Sequence, residues 1–390
     1  MFRYSKGGLL PVGEGQERRM NQLRRSEISA VILAAGFSSR MKAFKPLLPV
    51  GGKPMVHRCI DLFSTNGITD IVVVTGHLRE QLEPVVRDAG GCPVFHPGFA
   101  SGMLGSIQQG VAHIRPGQAG FFLLPTDIPA IRPATVARMI QKFRSDPLRI
   151  IMPCFNDLPG HPPLMPCDLK NRIMALAEPA TLRDLMAGEK DRTATLRVHD
   201  RGILMDADDK DGHTRVQNKI QSFDLPDREE CLSIVNQELP EDHPIRDHLA
   251  QVAMTALKLA HAVSDPLNVD LVIAAALLHD IKRMEKNHAA AGAALLQDLG
   301  FPQVAEVIGQ HMNIELDPHA PVRETELVYF ADKLCSGPDL DFNYHQRFRN
   351  CLEKTPWAAT RIWKRYENTR HIQARIEASA GQSITDILAG

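Results

Sequence analysis

The sequence predicts an α/β domain built on a mainly parallel sheet, followed by an all-α domain. Two observations carry that reading. From Ile28 to about residue 220, short β-branched runs alternate with longer amphipathic stretches; beyond Pro244 strand signals vanish and helix follows helix. Between the two, residues 217–244 are polar and broken by Pro226, Pro240 and Pro244. The 390 residues fit two to three domains at roughly 150 residues each. The expected division is a disordered tail over 1–27, an α/β domain over 28–220, a linker with at most one short helix over 221–242, and an all-α domain over 243–390.

In chain order, strands are predicted at 29–33, 70–75, 93–95, 121–124 and 149–152, with helices between them at 55–64, 79–89, 104–114 and 133–143. Strands alternating with helices of this length imply βαβ units and a sheet covered on both faces. Ligands of such sheets bind beyond the carboxyl ends of the strands. Further helices are predicted at 244–263, 269–283, 289–299, 303–312, 324–335 and 343–368.

Composition excludes several classes of function. The 45 Lys+Arg against 46 Asp+Glu leave a net charge of -1, so no chain-wide field advertises nucleic acid or an anionic membrane as partner. The longest pure apolar run, from Leu271 to Leu278, falls far short of the ~20 residues of a membrane span. The 7 cysteines are odd in number and never spaced CxxC, which makes a reducing cytoplasm the expected location. The first 27 residues carry basic side chains with no apolar run after them, so a secretory signal is not supported; a frayed tail, or a true start at Met20, accounts for them. The 16 histidines call for an explanation by position.

The first strand runs directly into Leu33-Ala34-Ala35-Gly36-Phe37 and on to Arg40, Lys45 and Pro46. Small residues there let backbone N–H groups approach an anion, and Arg40 and Lys45 add positive charge on the same loop, as a triphosphate requires. The loop is neither a Walker A nor a GxGxxG pattern. A second strand, Phe121–Leu124, leads through Pro125-Thr126 to Asp127, where a carboxylate at a strand end is placed to hold Mg²⁺. Asp206, Asp208 and Asp209 could complete that shell, or could equally form a solvated loop.

Taken in order, LAAGFSSRM, Lys45-Pro46, Thr75-Gly76-His77, the stretch from Pro97 to Gly102-Met103, Thr126-Asp127-Ile128-Pro129, Gly160-His161-Pro162 and Asp206-Ala207-Asp208 resemble the MobA-like nucleotidyltransferases, molybdenum cofactor cytidylyltransferases in particular. The resemblance covers about residues 28–218 and implies a Rossmann-like fold. It implies transfer of a nucleoside monophosphate from an NTP to a phosphorylated small-molecule acceptor such as molybdopterin, with release of pyrophosphate. By carry-over, Leu33, Ala34, Ala35, Gly36, Arg40, Lys45, Thr75, Gly76 and Gly102 would bind the nucleotide. Lys45, Arg40 and Asp127 would serve catalysis, and Asp127 with Asp208 would hold Mg²⁺. Ala35, where guanylyl relatives carry a second Gly, leans the choice toward CTP. A molybdoenzyme or a second copy of the chain is a further partner the resemblance admits. Two departures stand out: Lys42 replaces a Gly, and Pro179–Arg183 lacks the Gly-Asp-x-Gly-Ala-Arg run, which leaves the acceptor open.

In the second half His248 sits early in a predicted helix, and the apolar helix from Leu271 ends on His279-Asp280. Adjacent helix positions differ by about 100° and can converge on one cation at a helix end. A His-Asp pair closing so apolar a helix is costly to bury unless a metal neutralises it. His288, His311 and Asp332 follow at or within later helices. This H…HD…D order is similar to the HD-domain metalloproteins over about residues 243–340. The resemblance implies His248, His279, Asp280 and Asp332 as the core ligands, with His288 and His311 added for a second metal that Asp280 bridges. One or two divalent ions (Mn, Fe, Zn or Mg) fit such ligands, and phosphoester hydrolysis is the implied chemistry. Lys282-Arg283 stands where many hydrolytic members have Gly-Lys, and could still hold a phosphate. A nucleotide-sensing regulatory module and a di-iron oxygenase remain alternatives for this half, as does another phosphorylated acceptor for the first.

Overall fold

The computed structural model describes residues 27–37, 41, 43–317 and 320–389. The expected disordered tail therefore lies outside the described residues apart from Glu27. The chain divides into two compact units, one closing at Val198 and taking in Gly202–Gln221, the other made of His199–Arg201 and the chain from Ser222 onward.

The first unit is an eight-stranded mixed sheet, mostly parallel. Its strands are β1 (Ile28–Ala34), β2 (Asp70–Thr75), β3 (Cys92–Phe95), β4 (Gly120–Pro125), β5 (Ile150–Phe155), β6 (Leu158–Pro159), β7 (Leu164–Pro166) and β8 (Thr193–Arg197). They lie in the order β8-β5-β7-β4-β1-β2-β3, with β6 beside β5. β1 pairs in parallel with β2 and β4, β2 with β3, and β8 with β5. β7 runs antiparallel between β4 and β5.

All six residues of β2 are buried, as a β-branched strand covered on both faces demands. Alternate residues of β1 feed opposite cores. Ala30 and Ile32 pack with Val56, Ile60, Val136 and Met139 on one face; Val31 packs with Ile107, Val111 and Ile173 on the other. The covering helices are α1 (Met55–Ser64), α2 (Arg79–Asp88), α3 (Met103–Ala112), α4 (Pro133–Ser145), α5 (Leu169–Met174), α6 (Leu182–Gly188) and α7 (Lys210–Gln221). Four predicted strands are longer than the sequence indicates, and β6, β7 and β8 carry no strand signal strong enough to find. They are short or polar, and β7 ends on a proline.

The second unit is helical: α8 (Arg228–Glu238), α9 (Ile245–Ala262), α10 (Val269–Leu278), α11 (His288–Asp298), α12 (Pro302–Gly309), α13 (Glu324–Leu334), α14 (Tyr344–Lys354), α15 (Ala359–Ala380) and α16 (Ile384–Ala389). One core joins them, with Val272, Ala275, Leu278, Phe301, Ile308, Tyr329 and Phe330 among its buried members.

Three expectations change. The stretch read as a linker carries α8, started by an Asp227–Glu230 capping box, and its Cys231, Ile234 and Val235 are buried in this core. The single helix expected over 343–368 is two, because Pro356 has no amide to continue the first. Strands do not vanish: Cys335–Ser336 pairs with Asp339–Leu340. Among the described residues no helix is long and apolar enough to cross a membrane.

Gly120 opens β4 where no side chain fits. A Cβ there would lie 2.5 Å from Cζ of buried Phe143 and 3.0 Å from the Met165 carbonyl oxygen of the neighbouring strand. Backbone cannot swing away as a side-chain tip can. Gly120→Ala should therefore cost about 1–3 kcal/mol, read as a lower urea midpoint by circular dichroism.

Candidate functional site

Parallel pairing of β1 with β2 and β4 sets three strand ends side by side, with Ala34 opposite Thr75 and Leu33 opposite Pro125. Thr126 ties two of them together: its amide and hydroxyl both donate to the Leu33 carbonyl, at 3.1 and 2.6 Å. The His77 amide donates to Ala35 at 3.2 Å. A cavity of about 360 Å³ opens at this edge, lined by Leu33–Phe37, Lys45, Phe99, Gly102, Met103 and Pro125–Asp127. Gly102, at φ +118, turns the chain into α3, whose Met103 and Ser106 border the cavity.

Lys45 is the centre of charge here. Its Nζ lies 2.7 Å from Asp208 Oδ1 and 3.4 Å from Asp127 Oδ2. The Asp208 loop is brought in because the Ala207 amide donates to the Asp127 carbonyl at 2.8 Å. Asp208 thus faces the same lysine as Asp127. Burial pushes the Asp127 carboxyl above its ordinary value, Lys45 pulls it back, and the Asp208 charge adds to the upward push. Two carboxylates around one cation, with oxygen donors only, are a donor set suited to Mg²⁺.

The structure places most of the expected residues at this cavity but not all. Thr75 and Gly76 stand behind the loop. The Thr75 hydroxyl is committed to Glu83 Oε1 at 3.2 Å, and a Cβ on Gly76 would come within 2.7 Å of the Ala35 carbonyl oxygen and of Phe99, so this glycine permits a close approach of chains. Arg40 lies outside the described residues. Phe37 and Phe99, with ring centroids 5.2 Å apart, flank the cavity and were signalled only by the loops that carry them. Cys59 is a residue no motif reveals: buried under the loop, its thiol donates to the Thr126 carbonyl at 3.4 Å, and burial pushes its pKa up strongly. A larger cavity of about 850 Å³ shares Leu33, Met103 and Pro125 with the first and is bordered by Gly160, His161 and Glu178–Arg183.

In the second unit all six expected ligands converge. α9 supplies His248, the turn after α10 supplies His279 and Asp280, α11 begins on His288, His311 follows α12, and α13 carries Asp332. Each of three imidazoles is oriented by a backbone carbonyl. His279 Nδ1 donates to Ala276 at 2.8 Å, His311 Nδ1 to Ile308 at 2.7 Å and His248 Nδ1 to Gly337 at 3.2 Å. A carbonyl can only accept, so in each neutral ring Nε2 is a bare lone pair.

Those lone pairs face carboxylate oxygens. Asp332 Oδ1 lies 3.2 Å from His248 Nε2 and 3.6 Å from His279 Nε2. Asp280 turns Oδ2 toward His279 Nε2 at 3.8 Å, and Oδ1 toward His288 Nε2 at 3.1 Å and His311 Nε2 at 3.2 Å. His279 Nε2 and Asp280 Oδ1 are buried without a well-formed hydrogen bond. Acceptors crowded against acceptors in a buried site require a cation or shared protons between them, and mixed imidazole and carboxylate donors suit a divalent metal. Two groups of donor atoms lie within 4.8 Å of one another, His248-His279-Asp280 and Asp280-His288-His311, with Asp280 common to both.

The charges respond accordingly. Burial would lower the His279 pKa, but the close negative charge of Asp332, aided by Asp280, carries it above its ordinary value. Burial would raise both acids, yet His311 and His279 hold Asp280 well below the usual range, and Lys333 with His248 and His279 does the same for Asp332.

The MobA-like NTP transferase domain family matches residues 30–195, and the HD domain family matches residues 245–337. The molybdenum cofactor cytidylyltransferase of Escherichia coli K12 is 30% identical over 145 residues, 36% of this chain and 72% of that protein. The bifunctional protein GlmU of Cellvibrio japonicus is 27% identical over 158 residues, 39% of this chain. The chain spans 33% of the length of that relative. Among solved structures, Rv0371c from Mycobacterium tuberculosis H37Rv aligns with a TM-score of 0.43 at 24% identity, covering 50% of this chain and 99% of that one. Through its first unit the chain belongs to the MobA-like NTP transferase family, and its helical second unit matches the HD domain family over residues 245–337.

Proposed function

We propose that the first unit moves a nucleoside monophosphate, CMP in preference, from an NTP to the phosphate of a small acceptor such as molybdopterin, and that the HD unit is a metal-dependent phosphohydrolase. The observation that carries the first reading is Lys45 shared between Asp127 and Asp208 at the wall of a cavity whose other side is the Leu33–Gly36 backbone. In this reading that backbone contacts base and phosphates, and the first amides of α3 add donors for an anion. Ala35 favours CTP, and Thr75 and Gly76 hold the loop from behind. Mg²⁺ bound by Asp127 and Asp208 would supply charge neutralisation for the triphosphate.

The acceptor enters the larger cavity, where Arg183, His161, Glu178 and Thr181 offer polar contacts in a largely apolar wall. An acceptor phosphate oxygen attacks the α-phosphorus as the bond to pyrophosphate breaks, and pyrophosphate leaves with the electron pair. No side chain need act as a nucleophile; alignment and positive charge from Lys45 are the protein's contribution.

The orphaned His279 Nε2 and Asp280 Oδ1 carry the second reading. A divalent metal there would supply Lewis acidity for phosphoester hydrolysis. His248, His279, Asp280 and Asp332 would hold the first ion, with His288, His311 and the other Asp280 oxygen for a second. A cytoplasmic location agrees with both activities.

With Mg²⁺, CTP and molybdopterin, the protein should release pyrophosphate. Asp127→Asn should lower the rate at least 100-fold and His279→Ala should leave it within about twofold, by a coupled pyrophosphate assay. A panel of four NTPs against sugar and alcohol phosphates finds the acceptor if molybdopterin is inert; no turnover with any pair would sink the transferase reading. For the HD unit, elemental analysis of protein purified without chelator should find metal. Asp280→Asn should lose all of it and His311→Ala only the second ion. Hydrolysis of no phosphoester, with nucleotide bound intact, would point instead to a sensing module, and a redox-active iron pair to an oxygenase.

A further inference from the structure

A cavity of about 650 Å³ opens onto the HD cluster, bordered by His243, His248, Asp280, Asp332 and the cations Arg283, Lys333 and Arg347. None of the described residues that border it is Phe, Tyr or Trp, and its polar lining is dominated by cations, imidazoles and the two carboxylates.

The cations are not equivalent. Arg347 is built into the fold: its guanidinium donates to the Cys335 carbonyl at 2.8 Å and to the Lys333 carbonyl, with Asp341 at 3.2 Å from Nε. Lys282, which the sequence pairs with Arg283, is held by Glu238 at 2.9 Å and Glu285 at 3.2 Å and does not border the cavity. Arg283 and Lys333 instead sit on the cluster's own carboxylates. Arg283 Nη1 is 3.3 Å from Asp280 Oδ2, and Lys333 Nζ is paired with Asp332 Oδ2.

These are the same two carboxylates that would ligate metal. A divalent ion draws on their negative charge and repels both side chains, so metal and the two cations compete for Asp280 and Asp332. The displaced groups border the cavity, and the Arg283 side chain is half exposed, free to turn into it. We infer that Arg283 and Lys333 are the anion clamp of this site, held on the ligand carboxylates until metal enters and then passed to a phosphate-class oxyanion. Metal and anion binding are thereby coupled and mutually reinforcing. The inference rests on the metal-centre reading of the cluster. It goes further in naming which cations recognise the ligand and in making their availability depend on the metal.

The test is calorimetry on the full-length chain, titrating Mn²⁺ into stripped protein and then titrating inorganic phosphate, with glycerol 2-phosphate as a second arm. Mn²⁺ should tighten phosphate binding at least tenfold. Arg283→Ala and Lys333→Ala should each bind Mn²⁺ as tightly as the unaltered chain or several-fold tighter, because a competing cation is gone, while losing at least tenfold in phosphate affinity when loaded. Tighter binding of the monoester identifies an organic phosphate as the ligand; equal binding identifies the phosphate group alone, and both support the clamp. Phosphate affinity unchanged in both variants overturns it. So does a loss of Mn²⁺ and phosphate binding together, the mark of a structural role; Arg283→Lys, retaining the charge, should then fail to restore either. If the unaltered chain binds no Mn²⁺, the metal reading itself falls, and the coupling with it.

Discussion

A carboxylate taken out of water must be met by positive charge, and both units are arranged around that requirement. In the first, β4 is so apolar that it can only be central, and it delivers Asp127 to its carboxyl end. In the second, α10 has six of its ten residues buried and delivers His279 and Asp280 to its end. Each element thus forces an acid into a place where hydration is poor. Lys45 meets Asp127 and Asp208; imidazoles, Arg283 and Lys333 meet Asp280 and Asp332.

The backbone does much of the positioning. In the sheet, parallel pairing alone aligns Leu33, Thr75 and Pro125, and the Thr126 hydroxyl and amide lock two strand ends through a single carbonyl. The later Asp206–Asp209 loop joins by one amide, from Ala207. These are short-range contacts between residues far apart in sequence. They explain why the cavity is lined by four separate segments yet sits on one edge.

Legibility in the sequence followed the strength of the local pattern. β1, β2 and β4 could be read because burial on both faces demands unbroken apolar runs. β6, β7 and β8 could not, since two of them contain proline and β8 is half exposed. The six residues proposed as HD ligands could be picked out by order along the chain, because each sits at a helix end or on a periodic face where its type is conspicuous, and the structure brings them together. Thr75 and Gly76 were assigned to the nucleotide, but side-chain direction depends on tertiary neighbours, here Glu83 and the Ala35 carbonyl. Cys59 and the roles of Arg283 and Lys333 are set by contacts that no spacing encodes. The stretch before Pro244 looked like a linker because its polar residues outnumber the few, Cys231, Ile234 and Val235, that hold α8 in the core.

His279 and His311 each bind the carbonyl three residues earlier, at the place where their helix stops. The last carbonyls of a helix lack helical amide partners: the Ala276 carbonyl is met by the His279 imidazole N–H, and that of Ile308 by the imidazole and the backbone amide of His311 together. Helix termination and ligand orientation are therefore a single event: the ring that caps the helix is the ring that presents its other nitrogen to the cluster. Lengthening α10 by a residue would bring a backbone amide onto the Ala276 carbonyl and release the imidazole. The length of α10 is thus tied to the cluster as firmly as the types of its residues are.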